Sequence, residues 1–274
     1  MKSLRRGAIG LLPTSIRERL RDIRDDRRSI GEHLDVYGPA QRIDLTYVEP
    51  LRAAPLKTLT DTEALAALLP TLGLNDERVN EFPAELRGHA GKGLLHWQYP
   101  SQFAPYLIEL SRQNVRSYVE IGTRHGGTFV ITVEYLRRFQ DIEWALGIDI
   151  QPAKGLESYA AADPAVNTAV MSSRGQRFRW TLKRHAPIDL VLIDGDHSAD
   201  GVRADFETVR EHARLIAFHD IVNQLVPGVG AVWREVMERY GDDWEFLEFT
   251  AQYPEVVGRL GGPLLGIGLA MRRG

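Results

Sequence analysis

From Ser117 onward, short apolar runs alternate with longer segments of helical periodicity. The apolar runs are Ser117 to Ile121, Trp144 to Ile150, Asn167 to Val170, Ile188 to Ile193, Leu215 to Phe218, Trp244 to Phe249 and Ile267 to Met271. Such alternation is typical of a parallel sheet covered by helices on both faces. A turn-rich stretch separates the last two runs, which predicts an antiparallel pair at one edge. We therefore predict an α/β fold with a seven-stranded, mostly parallel, Rossmann-like sheet and a reversed edge strand.

The composition is that of an ordinary globular protein. The chain has 274 residues, a formal net charge of −3 and no cysteine. The absence of cysteine excludes disulfides, thiolate metal sites and thiol nucleophiles, so any metal must be bound by oxygen and imidazole. The charge gives no reason to expect a nucleic-acid partner. The sequence shows neither an apolar run of about 18 residues, as a spanning helix needs, nor the features of a signal peptide. We expect a cytoplasmic protein without a transmembrane segment.

The first 28 residues are basic, and Ile16, Leu20 and Ile23 follow Pro13 at helical spacing. This pattern predicts a helix that serves as a docking arm or a homo-oligomer contact, and the alternative is binding to a membrane surface. Residues 29 to 60 show no clear periodicity and are predicted to be an irregular linker or extension. A helix is expected from Thr62 to Leu69, and another through Leu110.

A glycine-rich turn follows the first predicted strand, with the pattern Glu120-x-Gly122-x-x-x-Gly126-Gly127. Such a turn leaves backbone N–H groups at a helix N-terminus and lets a ligand approach the backbone. The spacing differs from the G-x-G-x-x-G of dinucleotide sites, and Glu120 would repel a pyrophosphate. A cationic ligand such as S-adenosylmethionine suits this polarity. The alternatives are NAD binding, or a purely structural turn in which Glu120 caps a helix.

The ends of the next two strands carry further candidate cofactor ligands. Asp149 ends the second strand, at about the distance along the chain at which an acid meets a ribose diol. The motif E-x-G-x-x-x-G resembles the first motif of class I methyltransferases, and the resemblance implies an adenine contact at Ser172 after the third strand. The residues expected at the cofactor are Glu120, Gly122, Thr123, Gly126, Gly127, Thr128, Asp149, Ser172 and Asp194.

Polar residues also end the fourth and fifth strands, as Asp194-Gly195-Asp196-His197 and His219-Asp220. Adjacent parallel strands place their ends side by side, so Asp194, His219 and Asp220 are expected to converge on one cation. Carboxylates suit magnesium, and imidazole favours manganese, iron or zinc. The alternative is that Asp194 and Asp196 cap the next helix and that His219 and Asp220 form a local loop contact. Acidic residues further on, namely Asp200, Asp205 and Glu207, are expected on a solvated helix surface.

The pairing of V-L-I-D-G-D-H with F-H-D resembles the metal-dependent O-methyltransferases of natural-product sugars, including macrolide sugars, and the related protein of cephalosporin C7 methoxylation. The resemblance extends from about Trp97 to the C-terminus. It implies that Asp194, His219 and Asp220 bind magnesium, with manganese as the alternative, and that His197 is the general base. His219 departs from the family pattern, in which this ligand is acidic.

These observations predict an S-adenosylmethionine-dependent, metal-assisted O-methyltransferase that acts on a sugar hydroxyl of a glycoside, natural product or glycan. A catechol or phenol O-methyltransferase of the same fold and a non-catalytic cofactor-binding partner subunit are the alternatives. The resemblance divides the chain into an N-terminal extension and cap, 1–95, and a methyltransferase domain, 96–274. The aromatic segment from Glu81 to Tyr106 either shapes the acceptor pocket or packs the extension onto the sheet.

Overall fold

The computed structural model describes residues 38–274, which contain seven β-strands. They are β1 Ser117–Ile121, β2 Trp144–Asp149, β3 Val166–Val170, β4 Ile188–Ile193, β5 Ala213–His219, β6 Trp244–Phe249 and β7 Ile267–Arg272. Every predicted strand is present, with bounds that differ by two residues at most. The central strands are predictable because their apolar runs are buried on both sheet faces.

The strands form one sheet in the order β3-β2-β1-β4-β5-β7-β6. The first five are parallel to their neighbours, whereas β7 is antiparallel to both β5 and β6. The predicted antiparallel pair at one edge is confirmed, with β6 outermost and the reversed strand β7 next to it. The order changes direction between β1 and β4, so a crevice opens above the carboxyl ends of these two strands.

Ten α-helices lie in the described part of the chain. They are α1 Glu49–Ala53, α2 Leu56–Leu59, α3 Thr62–Leu68, α4 Pro100–Ser111, α5 Gly127–Leu136, α6 Lys154–Ala162, α7 Gln176–His185, α8 Ala199–Val209, α9 Pro227–Tyr240 and α10 Pro254–Leu260. Short 3-10 helices span Leu45–Val48, Leu69–Leu72, Val79–Glu81 and Ala84–His89. The two predicted helices near Thr62 and Leu110 are confirmed as α3 and α4.

Two apolar layers cover the sheet. One layer includes Tyr118 and Leu190 of the sheet together with α4, α5 and the short helices that precede them. The opposite layer contains Val119, Val191 and apolar residues of α7, α8 and α9. Because side chains alternate along a strand, Tyr118 and Glu120 point toward the first layer, and Val119 and Ile121 toward the second.

The prediction of an irregular linker was wrong for residues 45–59. They form a 3-10 helix followed by α1 and α2. Each of these elements buries one large apolar residue, namely Val48, Leu51 and Leu59. A single anchor per element leaves no helical period in the sequence, and tertiary burial stabilises such short helices. The predicted helix near Ile16, and with it the oligomer or membrane role of the first 28 residues, lies outside the described residues. The proposed boundary at residue 95 stays a prediction.

No helix within residues 38–274 is both long enough and apolar enough to cross a lipid bilayer.

Candidate active site

The glycine turn is filled by neighbouring segments of the chain. Gly122 has φ +89, and a Cβ there would lie 2.0 Å from the carbonyl oxygen of Asp194. A Cβ on Gly126, with φ +97, would lie 2.9 Å from Leu156 Cβ, and one on Gly127 only 1.9 Å from the Leu94 carbonyl oxygen. We expected these glycines to open the backbone to a ligand. Close packing of the chain is sufficient to require all three, and their predicted contact with the cofactor stays a prediction.

Glu120 is buried beside the crevice, with 1% of its surface exposed. Its carboxyl group accepts a hydrogen bond from the Tyr118 hydroxyl. Burial raises the pKa of Glu120 well above the usual range, and the charges of Asp194 and Asp149 add to the rise. The hydrogen bond from Tyr118 lowers this pKa, but its effect is smaller than that of burial. Burial therefore favours the uncharged form of Glu120. A cationic group close to this carboxyl would favour its charged form, which is the form that we expected to attract a sulfonium ligand.

Asp149 lies at the end of β2 and holds the backbone of the glycine turn. Its Oδ2 accepts a hydrogen bond from Arg124 N at 2.7 Å, and its Oδ1 accepts one from Gln151 N at 3.0 Å. These bonds fix the carboxylate at the crevice. Ser172 is half-buried in the loop after β3, and its Oγ accepts from Arg174 N at 3.2 Å. Thr123 and Thr128 are buried in the turn itself.

An N-terminal segment, residues 38–44, crosses the same turn. Gln41 N donates to His125 Nδ1 at 2.9 Å, and Ala40 N donates to Gln151 Oε1 at 3.1 Å. The Arg124 guanidinium donates to the Gly38 carbonyl oxygen at 3.1 Å. His125 is thus a packing residue of the turn. The contact with residues 38–44 was missed because backbone donors leave no trace in the sequence.

Asp194, His197, His219 and Asp220 form one cluster at the ends of β4 and β5, with one ligand atom from each within 4.8 Å of the others. Ile193 pairs with Phe218 in the sheet register, so Asp194 follows beside His219. His219 Nδ1 lies 3.0 Å from Asp194 Oδ1 and 3.6 Å from Asp220 Oδ1. His197 Nε2 lies 3.3 Å from Asp194 Oδ1 and 3.0 Å from Asp220 Oδ2. The predicted convergence is confirmed, and His197 belongs to the cluster as well.

The charges in the cluster stabilise one another. Burial alone would raise the pKa of the Asp194 and Asp220 carboxyls, but the two imidazoles outweigh it, so both values are lowered and that of Asp220 lies well below its usual range. Burial would likewise lower the pKa of each histidine, and the carboxylates reverse this effect. The pKa of His197 rises to about 10, and that of His219 lies well above its ordinary value. Two carboxylates at this site therefore attract positive charge strongly.

The donor set fits a divalent cation. Two atoms that lie about 2.1 Å from one ion, at right angles, are separated by about 3 Å, which matches the spacing of the imidazole nitrogens and carboxylate oxygens. His219 is 5% exposed, and neither ring nitrogen has a hydrogen-bond partner among the described residues. A ligand bound beside the carboxylates would satisfy a buried ring nitrogen that makes no hydrogen bond. Asp194, His219 and Asp220 are the residues that would bind the ion.

The local backbone directs Asp220 into the cluster. Asp220 has φ +66, a left-handed conformation that aspartate tolerates better than most residues. Asn223 Nδ2 donates to its Oδ1 at 2.9 Å, which fixes the orientation of the carboxylate. Sequence analysis assigned no role to Asn223. The spacing His219-Asp220-x-x-Asn223 is the signal that could have assigned it a role beside Asp220.

Other acidic residues of this region lie outside the cluster. Asp196 pairs with Arg174 and accepts from Ser198 N, and the side chain that caps α8 is that of Ser198, not that of Asp194 or Asp196. Asp200 is fully solvated, as expected. Asp205 was wrongly predicted to be solvated, since it is 1% exposed. It faces inward beneath Gly195, because α8 turns this side toward the sheet.

The aromatic segment before β1 mainly packs the N-terminal part onto the sheet. Its aromatic members Phe82, Tyr99, Phe103 and Tyr106 are buried, whereas Trp97 is half-buried. The alternative that they shape an acceptor pocket is therefore restricted to a few residues. Glu81, in the same segment, is buried; burial raises its pKa, and the charge of Asp220 contributes to that rise. Glu81 thus lies near the cluster, which sequence reasoning did not predict.

A family described as "Methyltransferase domain" matches residues 119–221, the span that runs from β1 past the cluster. No curated protein matches the chain.

Solved structures with a similar course of the chain include an O-methyltransferase from Bacillus cereus in complex with SAH, at 14% identity, with 84% of this chain and 96% of that chain covered and a TM-score of 0.49. TomG, an O-methyltransferase from Streptomyces achromogenes involved in tomaymycin synthesis, is similar at 16% identity, with 77% and 96% covered and a TM-score of 0.47. MycE, a methyltransferase of the mycinamycin biosynthetic pathway solved with Mg and SAH, is similar at 15% identity, with 66% and 50% covered and a TM-score of 0.43.

The family match covers the glycine turn, Asp149 and the strand-end cluster. Residues 119–221 are therefore similar to a methyltransferase domain.

Proposed function

We propose that this enzyme transfers the methyl group of S-adenosylmethionine to a hydroxyl of a sugar moiety, in a glycoside, a natural product or a glycan, with the help of a divalent cation. The observation that carries the proposal is the cluster of Asp194, His197, His219 and Asp220. It lies directly beside the glycine turn, since the Asp194 carbonyl oxygen packs on Gly122. A cation and a cofactor bound at these two places would be neighbours.

A sugar hydroxyl explains why the chain carries both a metal-binding cluster and a histidine. An aliphatic hydroxyl is a weak acid and, when protonated, a poor nucleophile. A divalent cation lowers the pKa of a bound hydroxyl and orients it, and Asp194, His219 and Asp220 are the residues that would hold such an ion. The resemblance of the two strand-end motifs to sugar O-methyltransferases supports the same acceptor.

His197 is the residue we assign to proton transfer. With both neighbouring carboxylates charged, its pKa is about 10, so the ring is protonated and cannot act as a base. A cation held by Asp194 and Asp220 would neutralise their charges. The pKa of His197 would then fall toward its ordinary value of about 6.5. The ring then accepts the hydroxyl proton at Nε2 near neutral pH.

The transfer itself needs no covalent enzyme intermediate. The acceptor oxygen attacks the methyl carbon of the sulfonium, the carbon–sulfur bond breaks, and its electron pair returns to sulfur to give S-adenosylhomocysteine. The hydroxyl proton passes to His197. The contribution of the enzyme is chiefly to align the oxygen with the carbon–sulfur bond, with Glu120 and Asp149 assigned to the amino-acid end and the ribose of the cofactor.

The first test is a calorimetric titration of the EDTA-treated chain with S-adenosylmethionine, with and without added magnesium, and with NADH as the comparison ligand. We expect S-adenosylmethionine to bind and NADH not to bind. Binding of NADH alone would contradict the assignment of Glu120 and Asp149 to the cofactor.

The second test uses a panel of glycosides and catechols, with S-adenosylhomocysteine release measured by mass spectrometry. We expect methylation of a glycoside, and a loss of about a hundredfold or more in the Asp194→Asn variant, because an electrostatic contact at the reacting centre is removed. S-adenosylmethionine should still bind to this variant, because Glu120 and Asp149 are retained. Asp200→Asn, which alters a fully solvated carboxylate of α8, is the matched control and should retain activity. Methylation of catechols in place of glycosides would establish the phenol alternative.

A further inference from the structure

We propose that His219 makes the cluster selective for a transition-metal ion of the manganese(II), iron(II) and zinc(II) class over magnesium. This inference rests on the proposed function only in placing a divalent cation at the cluster. It concerns which ion the donor atoms of this chain prefer, and it can be tested without cofactor or acceptor.

The polar contacts recorded for the His219 imidazole among the described residues are its ion pairs with Asp194 and Asp220. Its ring is nine-tenths buried or more, and neither nitrogen has a hydrogen-bond partner among residues 38–274. Nδ1 is directed at the two carboxylates, 3.0 Å from Asp194 Oδ1 and 3.6 Å from Asp220 Oδ1. A ring that only filled space could be replaced by an apolar side chain without leaving buried nitrogens unsatisfied. The geometry therefore indicates a nitrogen ligand.

The neighbouring backbone holds this nitrogen in place. His219 is the last residue of β5 and pairs with Ile267 of β7, and the preceding residue, Phe218, pairs with Ile193 of β4. Asn223 fixes the Asp220 carboxylate through Oδ1. One imidazole nitrogen and two carboxylates are thus presented on rigid elements, which is what discrimination between ions of similar size requires.

The ligand types decide the choice of ion. Magnesium prefers oxygen ligands in a regular octahedron and dehydrates reluctantly, so an imidazole in the ligand set is unfavourable for it. Imidazole suits zinc, iron and other transition ions, and the affinities of a mixed nitrogen and oxygen site rise along the series from manganese through iron to copper. His197 Nε2 is a second nitrogen at the same cluster, but the inference does not require it to bind the ion.

The test is a set of calorimetric titrations of the full, EDTA-treated chain with magnesium, manganese and zinc. We expect manganese and zinc to bind at least about tenfold more tightly than magnesium. In His219→Glu, which gives an all-oxygen ligand set, the ratio of manganese to magnesium affinity should fall toward one. His212→Glu makes the same exchange at the opposite end of the sheet, before β5, and should leave the ratio unchanged.

A measurement on the unaltered chain covers the case in which His219→Glu does not fold. Pulsed electron paramagnetic resonance of bound manganese detects a directly coordinated imidazole through its nitrogen coupling. We expect this coupling in the wild-type chain and in His197→Gln, where only His219 remains in the cluster. Three outcomes would each overturn the inference. They are loss of the nitrogen coupling in His197→Gln, a magnesium affinity equal to the manganese affinity in the wild-type chain, and an unchanged ratio of manganese to magnesium affinity in folded His219→Glu. None of these readouts uses methyl transfer, so a failure of the proposed function would be recognised separately.

Discussion

At the scale of single residues, the position of His197 leaves two roles that can be separated by experiment. Its Nε2 lies within 3.3 Å of both cluster carboxylates, close enough for a ligand, and its ring is also the assigned base. We predict that His197→Gln lowers the methyl-transfer rate by about 10²- to 10⁴-fold, the usual contribution of a general base. Manganese affinity, measured by calorimetry in the same variant, should be unchanged. A parallel loss of manganese affinity would instead make His197 a metal ligand.

Sequence reasoning found the residues of the cluster because strand ends are easy to locate. Asp194 and Asp220 follow apolar runs directly, and parallel strands bring such ends together whatever the loops do. The charge state of Glu120 and the burial of Asp205 could not be found in this way. Both depend on how completely other segments of the chain bury the side chain. The residue type alone does not show how deeply a side chain is buried.

At the scale of elements, the start of α5 depends on a close crossing with the segment before β1. We predict that Gly127→Ala lowers the free energy of unfolding by about 1–3 kcal/mol or more, because its Cβ would lie 1.9 Å from the Leu94 carbonyl oxygen and the segment must move. Gly258→Ala in α10 is the control. No atom lies within 4 Å of a Cβ there, and alanine favours a helix by up to about 1 kcal/mol, so this variant should be as stable as the wild type or more stable. Urea denaturation of both variants measures the difference.

The strands of the sheet were easier to predict from the sequence than the short helices that precede β1. Strands such as β4 carry their own signal, an apolar run bounded by turns. The short helices of residues 45–59 bury one large residue each, and their conformation is set by what they pack against. The glycines of the turn were correctly associated with a strand-to-helix transition. Their close contacts with Leu94, Leu156 and Asp194 were not predictable, because these partners are distant in the sequence.

At the scale of the whole molecule, the buried His96 links stability to pH. Its Nε2 lies 3.0 Å from the Leu69 carbonyl oxygen, and burial, only partly offset by this bond, lowers its pKa to about 4. The unfolded chain binds a proton at this histidine below about pH 6.5, whereas the native chain does so only near pH 4. The free energy of unfolding should therefore fall as the pH decreases through this window, by on the order of 3 kcal/mol from this residue.

His96→Gln keeps a side-chain donor near Leu69 and removes the titration. We expect urea denaturation to show a smaller loss of stability between about pH 6.5 and pH 4 in this variant than in the wild type. Parallel curves for the two proteins would show that His96 is not protonated on unfolding, or that its native pKa is not lowered. The comparison isolates His96, since every other titrating group is the same in both chains.

The packing of residues 43–95 on the sheet also bears on the order in which the protein is made. Leu51, Leu65 and Leu94 share one apolar layer with Tyr118 and Phe129, which come later in the sequence. A ribosome therefore releases these leucines before it has produced the surfaces that bury them. During synthesis they remain available to chaperones, or to a second nascent chain, until β1 and α5 emerge and the layer can close.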